Sequence, residues 1–236
     1  LNYADSICYY RITNSRGTRQ LSSVPKNAIS TLLDDLGLRP SDVLNQDICL
    51  LVEGATEVIF FEHVIRVLYG ARFEKVGVAI LQYGGAAADG IVAGSIDISN
   101  ITPIQRYAHW LRDRDAPPDK DPSSASTKFY NALSKAGASA TILKKREIEY
   151  YFPEVLLVAA QQGDAAKENA VRALLHGDQS KKFREGATAE QLCVPQGKYL
   201  RQLLMTHLTD LNELDQELRE IIEDKLIRWK EQILGS

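Results

Sequence analysis

Apolar positions along the chain follow two rhythms. Continuous apolar runs at Ile48-Cys-Leu-Leu-Val52, Val76-Gly-Val-Ala-Ile-Leu81, Tyr107-Ala-His-Trp-Leu111 and Ala140-Thr-Ile-Leu143 have the length and density of strands buried on both faces, the pattern of a parallel sheet. Between them apolar residues recur at three- and four-residue steps, as at Val58, Phe61, Val64, Ile65 and Leu68, which predicts a helix over 56–69 with Gly70 as its C-cap. A second helix is predicted over 122–136, while the small, Gly-rich stretch 86–104 shows neither rhythm. Strand and helix signals alternate four times, so the predicted fold is α/β: a parallel sheet of about four strands with right-handed crossovers and flanking helices. Upstream, 7–24 reads as two short strands around Asn14-Ser-Arg-Gly17 and 27–45 as helical. Beyond 154 the text is mainly helical. Over 208–234, Leu211, Leu214, Leu218, Ile221, Ile222, Leu226, Trp229 and Ile233 predict one long amphipathic helix, whose heptad-like stripe is compatible with a homodimer.

Composition adds mainly exclusions. With 44% apolar and 25% charged residues among 236, the chain can bury a sizeable core, and collagen-like or wholly disordered classes are ruled out. Cys8, Cys49 and Cys193 are isolated and odd in number, which indicates neither a zinc knuckle nor a disulfide framework and fits a reducing cytoplasm. No apolar run reaches bilayer-spanning length, so no membrane partner is expected. A start at Leu1, close to strand-like text, suggests a piece of a longer protein.

Candidate chemistry gathers where the strands end, the edge at which ligands collect in parallel α/β sheets. Glu53 follows the first run, Asp113 and Asp115 the third, and Glu147 and Glu149 the fourth; Glu57 lies one helical turn beyond Glu53. Taken singly, Glu-Gly is turn chemistry and Asp-Arg-Asp before Pro-Pro is a solvated loop. Three strands ending in acids is a different matter. Two carboxylates about 4 Å apart repel by roughly 4 kcal/mol at an effective dielectric of 20, so such a cluster calls for hard divalent cations with oxygen ligands, Mg²⁺ or Mn²⁺. The intervening Arg114 is expected to point elsewhere. Gly84-Gly85 at a strand end reads either as a turn or as a close approach to phosphate. His63, His109, His176 and His207 are scattered and read as structural.

The strings Leu50-Leu-Val-Glu53-Gly-Ala-Thr-Glu57, Asp113-Arg-Asp115 and Arg146-Glu147-Ile-Glu149-Tyr-Tyr151 together resemble the Toprim domain, and more narrowly the C-terminal nuclease region of the OLD (overcoming lysogenisation defect) family. The resemblance covers about 40–205. It implies a Toprim-type sheet with an additional helical subdomain, and the division 1–45 as a connector from an N-terminal ATPase domain, 46–155 as the catalytic core, and 156–236 as a helical subdomain with the terminal amphipathic helix. It also implies two Mg²⁺ or Mn²⁺ ions held directly or through water by Glu53, Glu57, Asp113, Asp115, Glu147 and Glu149, with Glu53 moving a proton. Lys198, in Pro195-Gln-Gly-Lys198-Tyr, matches a lysine that contacts phosphate in such enzymes. ATP would act only at an ATPase domain, because no Gly-x-x-x-x-Gly-Lys-Ser/Thr loop occurs here.

The implied activity is metal-dependent cleavage of DNA by water. Topoisomerase- or primase-like modules and a non-catalytic assembly domain of an ATPase complex are the competing readings, with Tyr150, Tyr151 and Tyr199 taken as packing residues. Net charge, −3 from 28 bases and 31 acids, looks unfavourable for DNA. However, residues 210–231 hold eight acids against four bases, leaving 24 bases and 23 acids elsewhere. Six of those acids are expected metal ligands, so the loaded body would be basic, with Lys181, Lys182, Arg184, Lys198 and Arg201 available to a phosphate backbone.

Overall fold

A computed structural model describes residues 9–15, 18–24, 46–98, 107–176, 194–195 and 197–235. The expected hairpin is present: β1 (Tyr9–Ser15) pairs antiparallel with β2 (Thr18–Val24). The helix expected over 27–45 lies outside the described residues. The four apolar runs become β3 (Ile48–Val52), β4 (Val78–Gln82), β5 (Ala108–Arg112) and β6 (Ser139–Ile142), all parallel, in the order β4-β3-β5-β6. This is the α/β sheet expected.

Alternation along the central strands divides the interior in two. Ile48, Leu50 and Val52 of β3 and Leu111 of β5 face one cluster; Cys49, Leu51, Ala108 and Trp110 face the other. The first face is covered by α1 (Ala55–His63) and by C-terminal helices, the second by α2 (Gly84–Ala93) and α3 (Ser124–Lys135). Each fully buried aliphatic side chain stabilises this arrangement by about 1.5–3 kcal/mol. Because β3 is buried on both faces, its order is fixed without any polar alternation.

Three sequence expectations change. The unreadable stretch after β4 contains α2, whose Ala-rich text lacks a polar stripe because Ala87, Ala88 and Ile91 are buried; Gly94 ends it in the left-handed conformation at φ 75°. Gly70 is not a left-handed C-cap. After α1 the chain widens into a π-helical turn (Val64–Leu68), the Tyr69 amide donates to the Val64 carbonyl five residues back at 3.0 Å, and Gly70 opens a 3₁₀ turn (Gly70–Phe73). The expected helix over 208–234 is broken. A 3₁₀ turn (Leu211–Glu213) comes first, and Asp215 then caps a new start by accepting from the Glu217 amide at 2.9 Å. From there α7 (Gln216–Ile221), a π-helical stretch (Ile222–Ile227) and α8 (Arg228–Leu234) run on. Leu218, Ile222 and Leu226 of this stripe are fully buried in the chain's own core, so it is not left free for a second copy.

Between β6 and this terminal helix lie a 3₁₀ turn (Ile148–Tyr151), α4 (Glu154–Ala159), α5 (Ala165–His176) and α6 (Gly197–His207). The terminal helix grips the segment after β6. Glu217 accepts from the Lys144 amide at 2.9 Å and from the Tyr151 hydroxyl, while Asp215 pairs with Lys145 at 2.7 Å. Tyr150 and Tyr151 are buried, as expected of packing residues. Among the described residues no helix is long and apolar enough to cross a membrane. Tyr151→Phe removes one link of this clamp, and the expected cost is about 1–2 kcal/mol in urea unfolding; an unchanged midpoint would show that the clamp adds no stability.

Candidate functional site

Strand parity decides which acid stands where. Val52 faces the α1 side, so Glu53, one residue on, faces the α2/α3 side. By the same rule Arg112 follows Leu111 onto the Trp110 side, where its guanidinium lies 5.6 Å from the centroid of the Phe129 ring, and Asp113 returns to the α1 side. Asp115 adopts a left-handed backbone, φ 54°, which turns its carboxylate back toward Arg112 and α3. Arg114 points away, its guanidinium donating to the Pro117 and Lys120 carbonyls, as expected.

The two sides differ in electrostatic company. On the α2/α3 side Arg112 Nη1 is 2.7 Å from Glu53 Oε2 and Nη2 is 3.4 Å from Asp115 Oδ2. The buried Ser126 hydroxyl lies 3.0 Å from Asp115 Oδ2 and 2.8 Å from the Asp113 carbonyl. On the α1 side Glu57 caps the helix it belongs to, accepting from the Gly54 amide at 3.2 Å. A Cβ at Gly54 would meet Glu57 Oε2 at 2.9 Å, so a side chain there would push the capping carboxylate aside. Glu57 raises the pKa of Glu149, and both raise that of Asp113; among the described residues no Lys or Arg forms an ion pair with any of the three.

Burial is the main cause of every carboxyl shift in the site. It pushes Glu53 up, opposed by Arg112, and pushes Glu57 up, with the Glu53 charge adding to it. Asp113 is raised well above the usual carboxylate range by burial and then by Glu57, Glu149, Glu53 and Asp115. Burial, with Glu57 and Glu147, brings Glu149 to about 7. For Arg112, burial opposes the charge but Glu53, Tyr83 and Asp115 outweigh it. Proton uptake or a cation would each relieve this field.

The structure thus brings Glu53, Glu57, Asp113, Asp115 and Glu149 into mutual electrostatic contact at one edge. Glu147 lies beside Glu149 and pairs with Arg146 at 3.4 Å. Lys198 is exposed in the first turn of α6 and forms no ion pair with the described site carboxylates. All-oxygen donors in an under-neutralised field suit a hard divalent cation. Yet among the described residues no three His, Cys, Asp or Glu side chains stand close enough to enclose one; Glu53 and Asp115 are held by Arg112 instead. Gly84 and Gly85 open α2, and a Cβ at either would meet open space. His63 donates from Nε2 to the Leu208 carbonyl, 2.7 Å away, and His109 is buried beside Ser139, so both are structural. The side chain of His176 lies outside the described residues.

Three participants were missed by sequence reasoning. Asp89 of α2 adds negative potential at Glu53, and its only signal was a lone acid in small-residue text. Ser126 carried a signal in Ser123-x-x-Ser126, where Ser123 accepts from the Ser126 amide at 3.1 Å and starts α3. Arg112 could have been found from parity, as the last strand residue before the acids.

Glu149 supplies a pH test. Its folded pKa lies above the ordinary 4.5, so its ionisation opposes folding: stability is retained below about 4.5 and lost as pH rises through about 7. Without divalent cations, Glu149→Gln should melt close to the parent at pH 4.5 and above it at pH 8, by up to about 3 kcal/mol. A pH-independent offset between the two would contradict the shift.

Residues 47–93 match the family model described as Overcoming lysogenization defect protein-like, TOPRIM domain, a span that includes Glu53 and Glu57. Among solved structures, the C-terminal region of the Burkholderia pseudomallei OLD protein is similar in fold, with TM-score 0.54 and 14% identity over 78% of this chain and 97% of that one. The C-terminal region of the Xanthomonas campestris pv. campestris OLD protein aligns at TM-score 0.45 and 15% identity, over 79% and 98% respectively. No curated protein matches. In sequence over residues 47–93, and in fold over most of its length, the chain resembles the C-terminal Toprim region of OLD proteins.

Proposed function

We propose that this chain is a divalent-metal-dependent nuclease module that hydrolyses phosphodiester bonds in DNA, coupled in its parent protein to an ATPase domain. The observation that carries the reading is the convergence of Glu53, Glu57, Asp113, Asp115 and Glu149, from three parallel strand ends, on one edge where burial first and neighbouring carboxylates second raise the pKa of Glu53, Glu57, Asp113 and Glu149. Divalent cations would relieve the charge on these carboxylates, and phosphodiester cleavage by water uses the same cations. The similarity to OLD proteins supports the nuclease reading.

Glu57, Asp113 and Glu149, with Glu53, Asp115 and Glu147, would hold Mg²⁺ or Mn²⁺. When bound, a pair of such ions supplies an activated water and neutralises charge on the leaving oxygen. This chain's residues do the rest. Glu53, raised by burial and exposed enough to meet solvent, is suited to take the water's proton. Lys198, exposed on α6, is proposed to contact phosphate. Tyr150 and Tyr151 are buried, and the Tyr151 hydroxyl is engaged with Glu217, so neither presents a nucleophile for a tyrosyl intermediate.

Supercoiled plasmid incubated with the chain and Mn²⁺ should be nicked, and Asp113→Ala should reduce nicking to background. Absence of nicking by the parent, or equal nicking by the variant, would sink the reading. Lys198→Ala should lower turnover by about 100-fold while Mn²⁺ affinity holds; an unaltered rate would remove Lys198 from the site.

A further inference from the structure

Arg112 is the feature of this site that the general reading leaves unused. It is the last residue of β5, and its side chain is only 11% exposed. Four groups fix its guanidinium. Glu53 Oε2 lies 2.7 Å from Nη1, Asp115 Oδ2 3.4 Å from Nη2 and Ser126 Oγ 3.4 Å from Nε, while the Phe129 ring backs its flat face. Phe129 and Ser126 are themselves buried on α3. The guanidinium is therefore built into the α2/α3 side, and its charge is presented to the two carboxylates that parity and the Asp115 turn bring to that side. Across the sheet, Glu57, Asp113 and Glu149 form no ion pair with any described Lys or Arg. The acids thus form two unlike halves, one ion-paired with a cation of the protein's own and one reached only by that cation's more distant charge.

We propose that Arg112 is a built-in competitor for the second divalent ion, so that the site loads in order. The first ion goes to the half formed by Glu57, Asp113 and Glu149; the second reaches Glu53 and Asp115 only by displacing the guanidinium. This rests on the metal-dependent reading above and deepens it. It accounts for the placing of Glu53 and Asp115 in this structure, where both are held on Arg112. Displacement leaves a guanidinium beside the entering ion, free to meet a phosphate oxygen, which couples filling of the second place to the arrival of a phosphodiester.

Titration of the chain with Mn²⁺, read by the electron paramagnetic resonance of the free ion, tests this without reference to cleavage. The parent should bind one ion at least about 10-fold more tightly than a second, a separation that one close charge pair can produce. Arg112→Gln should bring the two affinities together by strengthening the second, and Arg112→Lys, shorter but charged, should fall between. Far-ultraviolet circular dichroism establishes that the variants are folded. Two equally tight ions on the parent would overturn the proposal whatever the variants do, as would a folded Arg112→Gln that keeps the weak second place. If the parent binds no Mn²⁺ at all, the metal-dependent reading falls with it. Unequal binding that ignores Arg112 would remove this inference alone.

Discussion

Everything at the site depends on the two-residue alternation of β3 and β5, the strands buried on both faces. Neither strand can slip by one residue without exchanging Ile48, Leu50 and Val52 for Cys49 and Leu51 between unlike clusters. That packing constraint is apolar, but its result is electrostatic. Continued past the strand ends, it assigns Glu53 and Arg112 to one side and Asp113 to the other. The core thereby sorts the charges at its rim.

The sorting costs stability. Glu57, Asp113 and Glu149 all have pKa values raised first by burial, which means that their ionised forms oppose the fold they sit in. A protein shaped for stability alone would place neutral side chains there. The opposing capital is elsewhere: a sheet covered on both faces, an aromatic layer of Tyr83, Trp110 and Phe129 with centroids 5.2–6.1 Å apart, and a terminal helix buried along Leu218, Ile222 and Leu226.

Much of this was legible in the chain's text. The four strands announced themselves because a parallel sheet needs uninterrupted apolar runs, and the acids at their ends stood out because such runs stop abruptly. What was illegible has specific causes. α2 is small-residue text buried on one side, so it carries no polar stripe to read. The break before Gln216 depends on Asp210 and Asp215 acting as caps inside an apolar period that runs on undisturbed. The partition of the acids is invisible in spacing, because Asp113 and Asp115 look equivalent until the positive φ of Asp115 turns it toward Arg112. Lys198 illustrates the opposite limit: its motif is readable, yet its exposed place on α6 brings it to no described carboxylate.

The clamp on the segment after β6 bears on when the site can exist during synthesis. Lys144, Lys145 and Tyr151, which bracket Glu147 and Glu149, are held by Asp215 and Glu217, and Tyr151 and Glu217 are 66 residues apart. Glu53, Glu57, Asp113 and Asp115 are all translated well before those partners emerge from the ribosome. A nascent chain therefore carries most of its acids without the brace that positions the last of them. The contacts that hold the segment around Glu147 and Glu149 form only once the terminal helix has docked.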